Sequence, residues 1–234
     1  MPIYRIADLN IRINNVHSYT DKACRKYLAE NQDSGFDFEV SATHDDYEMD
    51  KGNHEDYSEG YLEYISIYRQ IARKILEFDG LILHASVVEM DGKAYAFSAP
   101  SGTGKSTHTR LWLEAFDGKA RIINGDKPLI RYIDGVLYAY GTPWCGKEMY
   151  NVNTRAELKS ICFLERASEN SIVEIDKNEA VKRIFIQLLL PENNQQTEMF
   201  FKMIDILLDK VKFYKLGCNM DVEAAKIAYE GMKQ

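Results

Sequence analysis

The residues with the clearest chemical potential are the run Ser-Gly-Thr-Gly-Lys-Ser-Thr, residues 101–107. Glycines let the backbone bend so that successive N–H groups point at one anion, and a helix that begins at Lys105 adds the partial positive charge of its N-terminus. The Lys105 ammonium can reach the outer phosphates of a nucleotide, and the Ser106 hydroxyl can ligate Mg²⁺. We therefore expect a binding site for ATP, or another nucleoside polyphosphate, with Mg²⁺ at Ser101, Gly102, Thr103, Gly104, Lys105, Ser106 and Thr107.

This run matches the core of a P-loop (Walker A motif) with one departure. The outer glycine of the pattern is Ala99 here, and alanine fits only if its φ angle stays negative. A predicted strand, residues 93–98, leads into the run, and the spacing of Leu111, Trp112, Ala115 and Phe116 predicts a helix after it. A chance glycine-rich turn is the alternative, and this strand–loop–helix context favours phosphate binding.

The composition excludes several other classes of function. The chain has 234 residues, 45% hydrophobic and 28% charged, which is typical of a globular protein. Its net charge of −7 gives no support for a nucleic-acid partner. We see no apolar run long enough to span a membrane, no signal peptide at the start, and four widely spaced cysteines, so we expect a cytoplasmic protein without a membrane partner.

The first 80 residues predict a small β-rich layer with one helix, integrated with the rest of the protein. Residues 3–13 and 36–42 alternate as strands do, and residues 61–78 place apolar side chains at helical spacing. By that periodicity the tyrosines of the helix belong mostly to the core. The acidic stretch between them, residues 43–60, predicts an exposed loop.

Residues 81–234 predict a P-loop core with C-terminal helices. Apolar runs flank Asp91-Gly92 and Asp134-Gly135, which are strong signals for two β-hairpins. Two further strands are expected at 160–165 and 171–175, and the last third is expected to alternate helix and strand. The fold class is therefore mixed α/β, with a partly antiparallel sheet flanked by helices.

Four segments together resemble a known family. They resemble segments of the HPr kinase/phosphorylase-type P-loop kinases, which are relatives in fold of the phosphoenolpyruvate carboxykinases. The segments are LHAS at 83–86, SGTGKST at 101–107, NGDKPLI at 124–130 and GTPWCGKE at 141–148. The resemblance implies a P-loop core of that type. It also implies transfer of a phosphoryl group to a hydroxyl, often that of a serine.

The resemblance also assigns catalytic roles. Where the family commonly has two adjacent aspartates, this chain has Gly125-Asp126. Asp126 is then the candidate both to bind the metal, with Ser106, and to orient or deprotonate the acceptor hydroxyl. His84 is the candidate that assists Asp126, and Lys105 the one that neutralises the phosphates. The alternatives are that Asp126 is only a turn residue and that His84 is a hydrogen-bonded histidine on a buried strand.

The loop after residue 142 is implied to form the rim of the acceptor site. Gly146, Lys147 and Glu148 are its candidate substrate-contacting residues, and Cys145 is expected to be an ordinary thiol. Nothing in the spacing selects a phosphate clamp among Arg110, Arg155 and Arg166, and His108 is expected to face solvent.

Two functions remain open at this point. The first is a Mg²⁺-dependent phosphotransferase that moves a nucleotide phosphoryl group to a hydroxyl of a peptide, a carrier protein or a small molecule. The second is a regulatory or scaffold protein that binds a nucleotide with little or no turnover, favoured by Ala99 and by the missing first aspartate. The sequence leaves a homo-oligomer open.

Overall fold

The computed structural model describes residues 1–33, 35–52, 54 and 56–234. The N-terminal part contains β1 (Ile3–Ile6), β2 (Leu9–Ile13), α1 (Ser18–Cys24), β3 (Phe38–Val40), α2 (His44–Lys51) and α3 (Glu59–Lys74). The remainder contains β4 (Gly80–Ile82), β5 (Ala85–Met90), β6 (Lys93–Ser98), α4 (Lys105–Ala115), β7 (Arg121–Asn124), β8 (Leu129–Ile133), β9 (Val136–Tyr140), β10 (Arg155–Arg166), β11 (Ser171–Glu174), α5 (Lys177–Phe185), α6 (Asn194–Lys210), β12 (Lys212–Cys218) and α7 (Glu223–Met232).

The N-terminal sheet has the order β1-β2-β3, with β1 antiparallel and β3 parallel to β2. The prediction of one strand over residues 3–13 was wrong, because the chain reverses at Ala7 and Asp8. These residues have φ angles of 53° and 62°, and two consecutive positive φ angles suit the twist of a two-residue hairpin. Neither residue is glycine or asparagine, so the turn signal was weak.

The exposed loop expected at residues 43–60 was also wrong in part, because this stretch contains α2. The Thr43 hydroxyl accepts a hydrogen bond from the Asp46 N–H, and the Asp46 carboxylate accepts one from the Thr43 N–H. This reciprocal cap contributes about 1 kcal/mol. Arg69 of α3 then binds the carboxylates of Asp46 and Asp50 at 3.0 and 3.1 Å. Residues 53 and 55 of the stretch lie outside the described residues.

The described part of residues 1–80 therefore has three α-helices, and a 3₁₀ turn at Arg25–Tyr27, where the sequence predicted one helix. The helix predicted at 61–78 is confirmed as α3 and a 3₁₀ turn at Ile75–Phe78. Ile67 and Ile71 of α3 are buried in a cluster that also holds Leu129 and Tyr140 of the large sheet. The N-terminal layer and the large sheet thus share one apolar core.

The large sheet is mixed, as predicted, and runs β4-β8-β9-β10-β6-β5-β7. Both predicted hairpins are confirmed: β5 and β6 turn at Asp91-Gly92, and β8 and β9 turn at Asp134-Gly135. The long strand β10 pairs with β9 near its start and with β12 near its end, while its other edge pairs with β6.

Helices cover both faces of this sheet. α5 and α6 pack over one apolar cluster, and α4 and α7 pack over another. The fold class is a mixed α/β protein with a partly antiparallel sheet flanked by helices. Within the described residues, no helix combines the length and apolarity needed to cross a membrane.

Candidate active site

Three chain segments meet at one end of the neighbouring strands β5, β6 and β7 of the large sheet. In the antiparallel pair β5–β6, Ala85 at the start of β5 lies opposite Ser98 at the end of β6. On the other side of β5, Val87 lies opposite Asn124, the last residue of β7. His84, the P-loop and Asp126 directly adjoin these strand ends, so the sheet register places them together. A hydrogen bond from the Ser98 hydroxyl to the His84 carbonyl oxygen, at 2.9 Å, joins two of the segments.

The P-loop has the backbone conformation that its glycines allow. Gly102 and Gly104 have φ angles of 77° and 127°, which favour glycine, and Ala99 does not have a positive φ. The helix α4 begins at Lys105, so its unpaired N–H groups lie at the loop. The Lys105 ammonium donates a hydrogen bond to the Ala99 carbonyl oxygen at 2.8 Å. The alanine at the outer glycine position is therefore compatible with a P-loop conformation.

Arg166, at the end of β10, supports this loop from outside. Its guanidinium donates hydrogen bonds to the carbonyl oxygens of Gly102, at 2.6 Å, and Thr103, at 3.3 Å. Arg155 instead binds Asp8 and Tyr140, and Arg110 is exposed. Among the three arginines considered from the sequence, only Arg166 forms a hydrogen bond to residues 101–107, and it does so through the loop backbone.

His84 and Asp126 form a hydrogen-bonded pair. The distance from His84 Nε2 to Asp126 Oδ1 is 3.1 Å, and Lys127 Nζ lies 3.9 Å from Asp126 Oδ2. Burial raises the pKa of Asp126, but the His84 hydrogen bond and the charges of Lys127 and Lys105 outweigh it and leave this pKa below its usual value. The carboxyl group is therefore ionised at neutral pH, with one oxygen engaged by His84.

Asn124 fixes the turn that carries Asp126. Its side-chain oxygen accepts hydrogen bonds from the N–H groups of Asp126, at 2.9 Å, and Lys127, at 2.8 Å. Its side-chain nitrogen donates to the carbonyl and hydroxyl oxygens of Thr142, both at 3.1 Å. Asn124 is fully buried. Sequence reasoning missed this residue as well as Lys127, although both stand in the segment NGDK that carried the resemblance.

Two lysines surround the single carboxylate. Burial lowers the pKa of Lys105, and the charge of Lys127 lowers it further, while Asp126 raises it. Burial likewise lowers the pKa of Lys127, again opposed by Asp126. Lys105 is buried and Lys127 is partly buried. Two such ammonium groups beside one carboxylate favour the entry of an anion, because an anion would relieve their mutual repulsion.

The loop of residues 143–148 passes directly over Gly125. A Cβ atom at Gly125 would lie 2.6 Å from the Cys145 carbonyl oxygen, so no side chain fits there without a shift of the loop. A Cβ at Gly146 would lie 3.2 Å from the Asp126 Cβ, so the loop also passes close to the remaining carboxylate. The glycine at 125 thus reflects a close backbone approach.

All these segments line one cavity of about 1220 Å³. Its lining includes His84, Asp126, Lys127, the loop residues Gly146, Lys147 and Glu148, and six of the seven predicted phosphate-binding residues: Ser101, Gly102, Gly104, Lys105, Ser106 and Thr107. Thr103 is absent from that lining. The cavity exceeds the volume range of about 300–1,000 Å³ that is typical of single-ligand pockets.

The chemistry of the lining fits Mg²⁺ bound with a nucleotide. Mg²⁺ usually retains several waters and is held by one or two protein oxygens and by substrate phosphates. Ser106 and Asp126 offer a hydroxyl and a carboxylate oxygen in the same cavity. Over the described residues, no group of three or more histidine, cysteine, aspartate or glutamate residues forms a separate metal site.

Two other residues differ from or agree with expectation. The sequence predicted that His108 faces solvent, and this prediction was wrong. His108 is buried in α4, where the Trp112 Nε1–H donates to its Nε2 at 3.2 Å. Cys145 is buried, and burial raises the pKa of its thiol. A raised pKa disfavours the thiolate that a nucleophilic cysteine needs, in agreement with an ordinary thiol.

Comparisons with known proteins give the family. No curated protein matches the sequence. Among solved structures, the chain is similar to the HPr(Ser) kinase/phosphatase of Coxiella burnetii, with a TM-score of 0.35 and 10% identity over 63% of this chain and 91% of that one. This similarity supports at most a distant relationship in fold and carries no argument about the site. A family model for the SynChlorMet cassette protein ScmC matches residues 49–220, and the chain belongs to that family.

Proposed function

We propose that this protein is a Mg²⁺-dependent phosphotransferase that moves the terminal phosphoryl group of ATP, or of a similar nucleotide, to a hydroxyl. The acceptor that we favour is the serine of a peptide or carrier protein, with a small-molecule alcohol as the other option. The observation that carries this proposal is the hydrogen-bonded pair of His84 and Asp126, which shares a cavity with Lys105 of the P-loop.

Binding of the nucleotide would use the P-loop. The backbone N–H groups at the start of α4 would hold the phosphates, and the Lys105 ammonium would exchange its Ala99 carbonyl for phosphate oxygens. Ser106 would ligate Mg²⁺, and Asp126 would hold the ion through a water, which leaves one carboxylate oxygen free. The ion supplies positive charge against the phosphate oxygens. Lys127 would add a second positive charge near the transferred group.

Transfer would take place beside Asp126. The acceptor oxygen forms a bond to the terminal phosphorus, the bond from that phosphorus to the bridging oxygen breaks, and the nucleoside diphosphate leaves. The acceptor proton passes to the free oxygen of Asp126, whose other oxygen is engaged by His84. Most of the rate enhancement in such transfers comes from positioning and electrostatics, so one carboxylate can suffice.

A second candidate is a protein that binds the nucleotide without turnover. The specific observation in its favour is the Cys145 carbonyl oxygen, which occupies the space where a second carboxylate at position 125 would begin. The two candidates agree on nucleotide binding and differ only in transfer.

Transfer from radiolabelled ATP and Mg²⁺ to serine-containing peptides and to small alcohols tests the proposal. The phosphotransferase predicts label in an acceptor, lost in Asp126→Asn, with nucleotide binding retained. Asp134→Asn is the matched control, because Asp134 lies in the exposed β8–β9 turn outside the cavity. Nucleotide binding without transfer to any hydroxyl would favour the second candidate, and transfer unchanged in Asp126→Asn would refute the role of Asp126.

A further inference from the structure

The N-terminal layer contributes a continuous aromatic wall to the same cavity. Five rings form it, each with a centroid 5.3–6.3 Å from that of a neighbour: Tyr19, Tyr61, Tyr64, Tyr68 and Trp144. All five residues line the cavity. We call this set the tyrosine wall.

The periodicity of α3 explains how the wall arises. Tyr61, Tyr64 and Tyr68 follow each other at intervals of three and four residues and therefore share one face of the helix. The adjacent face carries Ile67 and Ile71, which are fully buried. The expectation that the tyrosines belong mostly to the core is confirmed in part: Tyr64 and Tyr68 pack against the N-terminal apolar cluster, and all three tyrosines of this face also line the cavity.

Several rings of the wall are accessible to a ligand. Tyr19 remains 44% exposed, and Tyr61 and Tyr68 are only partly buried. The Tyr64 hydroxyl donates to the Pro143 carbonyl oxygen at 2.9 Å, and the Trp144 Nε1–H donates to the Tyr64 carbonyl oxygen at 3.1 Å. These two bonds tie α3 to the loop that carries Gly146–Glu148, so the wall is a preformed surface.

The wall adjoins Asp126 through the loop of residues 143–148. The Trp144 carbonyl oxygen accepts a hydrogen bond from the Lys127 N–H at 3.1 Å, and a Cβ at Gly146 would lie 3.2 Å from the Asp126 Cβ. Burial, followed by the negative charge of Asp126, raises the pKa of Tyr68, and the same charge contributes to the raised pKa of Tyr61. Both phenol groups are thus within electrostatic reach of the carboxylate. In-line transfer puts the acceptor and the leaving nucleotide on opposite sides of the transferred phosphorus. Groups that adjoin Asp126 through the loop of residues 143–148 are therefore positioned to contact the acceptor.

On the basis of the proposed function, we infer that the tyrosine wall is the acceptor-recognition subsite, and that the acceptor is a peptide segment with an aromatic or bulky apolar side chain near its serine. Aromatic rings prefer offset or edge-to-face contacts with other rings at centroid distances of about 4.5–7 Å, and such a contact contributes beyond the area it buries. The cavity is larger than a typical pocket for one ligand, so it has room for such a side chain beside the nucleotide.

A peptide series tests this inference. Acetylated peptides carry one serine in a glycine-lysine background, and phenylalanine is placed at each position within about three residues of it. We expect one placement to raise kcat/KM for transfer by about 3–12-fold over the glycine peptide. Tyr61→Ala should reduce the ratio of kcat/KM for the phenylalanine peptide to kcat/KM for the glycine peptide to near one, and the affinity for ATP should stay unchanged. Tyr19→Ala, on a different helix, should lower the ratio in the same direction.

Phe201→Ala is the control, because Phe201 is an exposed aromatic residue of α6 outside the cavity lining. Peptide binding is also followed through the tryptophan fluorescence of the protein, to which Trp144 in the wall and Trp112 in α4 contribute; this measurement does not require transfer. Phenylalanine-dependent binding without transfer would support the wall and refute the phosphotransferase. The inference would be overturned if phenylalanine did not raise kcat/KM in the wild type, or if Tyr61→Ala kept the full increase. Weaker ATP binding in Tyr61→Ala would also overturn it and would place the nucleobase on the wall.

Discussion

The buried imidazole of His108 makes the stability of the protein depend on pH. Its side chain is 2% exposed, its Nε2 accepts a hydrogen bond from Trp112, and its ring packs edge-on against Phe97 with centroids 4.5 Å apart. Burial lowers its pKa from 6.5 to about 3. The folded protein therefore holds a neutral imidazole, whereas the unfolded chain binds a proton below pH 6.5. This contribution to stability is complete above pH 6.5 and is lost as the pH falls towards 3.

The size of the effect follows from the two pKa values. Each pH unit between them costs about 1.4 kcal/mol, so a change from neutral pH to pH 5 costs about 2 kcal/mol through His108. Urea denaturation at pH 7.5 and pH 5 measures it, with His108→Gln as the variant that keeps an acceptor but cannot titrate. The wild type should lose about 2 kcal/mol more than this variant. His44→Gln, at an exposed position, should behave as the wild type does. Equal losses in the wild type and His108→Gln would refute the reasoning.

Two further predictions concern the surroundings of the P-loop and of Asp126. Gly125→Ala places a Cβ against the Cys145 carbonyl oxygen and should lower the free energy of unfolding by about 1–3 kcal/mol in a denaturant titration. Gly35→Ala is the control, because the space around its Cβ is open, and it should change this free energy little. Equal stabilities of the two variants would contradict the close approach at Gly125. Arg166→Ala removes two hydrogen bonds to P-loop carbonyl oxygens and should raise the Kd for ATP by about 3–10-fold in calorimetry, with the exposed Arg110→Ala unchanged. Equal Kd values in the two arginine variants would contradict a supporting role for Arg166.

The parts of the fold that sequence reasoning predicted well are those with strong local signals. The Asp-Gly turns at 91–92 and 134–135 set positive φ angles at known places, and the hairpins follow from them. The P-loop is likewise local, because its glycines and the start of α4 lie within a few residues of one another.

The features that sequence reasoning missed depend on contacts between distant segments. His108 is buried because Phe97 and Trp112 enclose it. Its position four residues before Trp112 places it on the apolar face of α4, but the polarity of histidine favoured a solvent-facing position, and the contact with Phe97 joins two separate elements. The tyrosines of α3 face a cavity whose opposite side comes from the P-loop, so periodicity alone could not tell which face of the helix meets the core. The contact between Gly125 and Cys145 joins positions that are twenty residues apart.

Nucleotide titration by calorimetry tests the central claim most directly, namely that residues 101–107 bind a polyphosphate beside Asp126. With Mg²⁺ present, we expect ATP to bind at one site, and Lys105→Ala to weaken binding by at least about tenfold through the loss of a charge-assisted contact. Lys119→Ala, at an exposed position beyond α4, should leave the affinity unchanged. Absence of heat with every nucleoside triphosphate tested in the presence of Mg²⁺, or equal affinity in wild type and Lys105→Ala, would contradict the account.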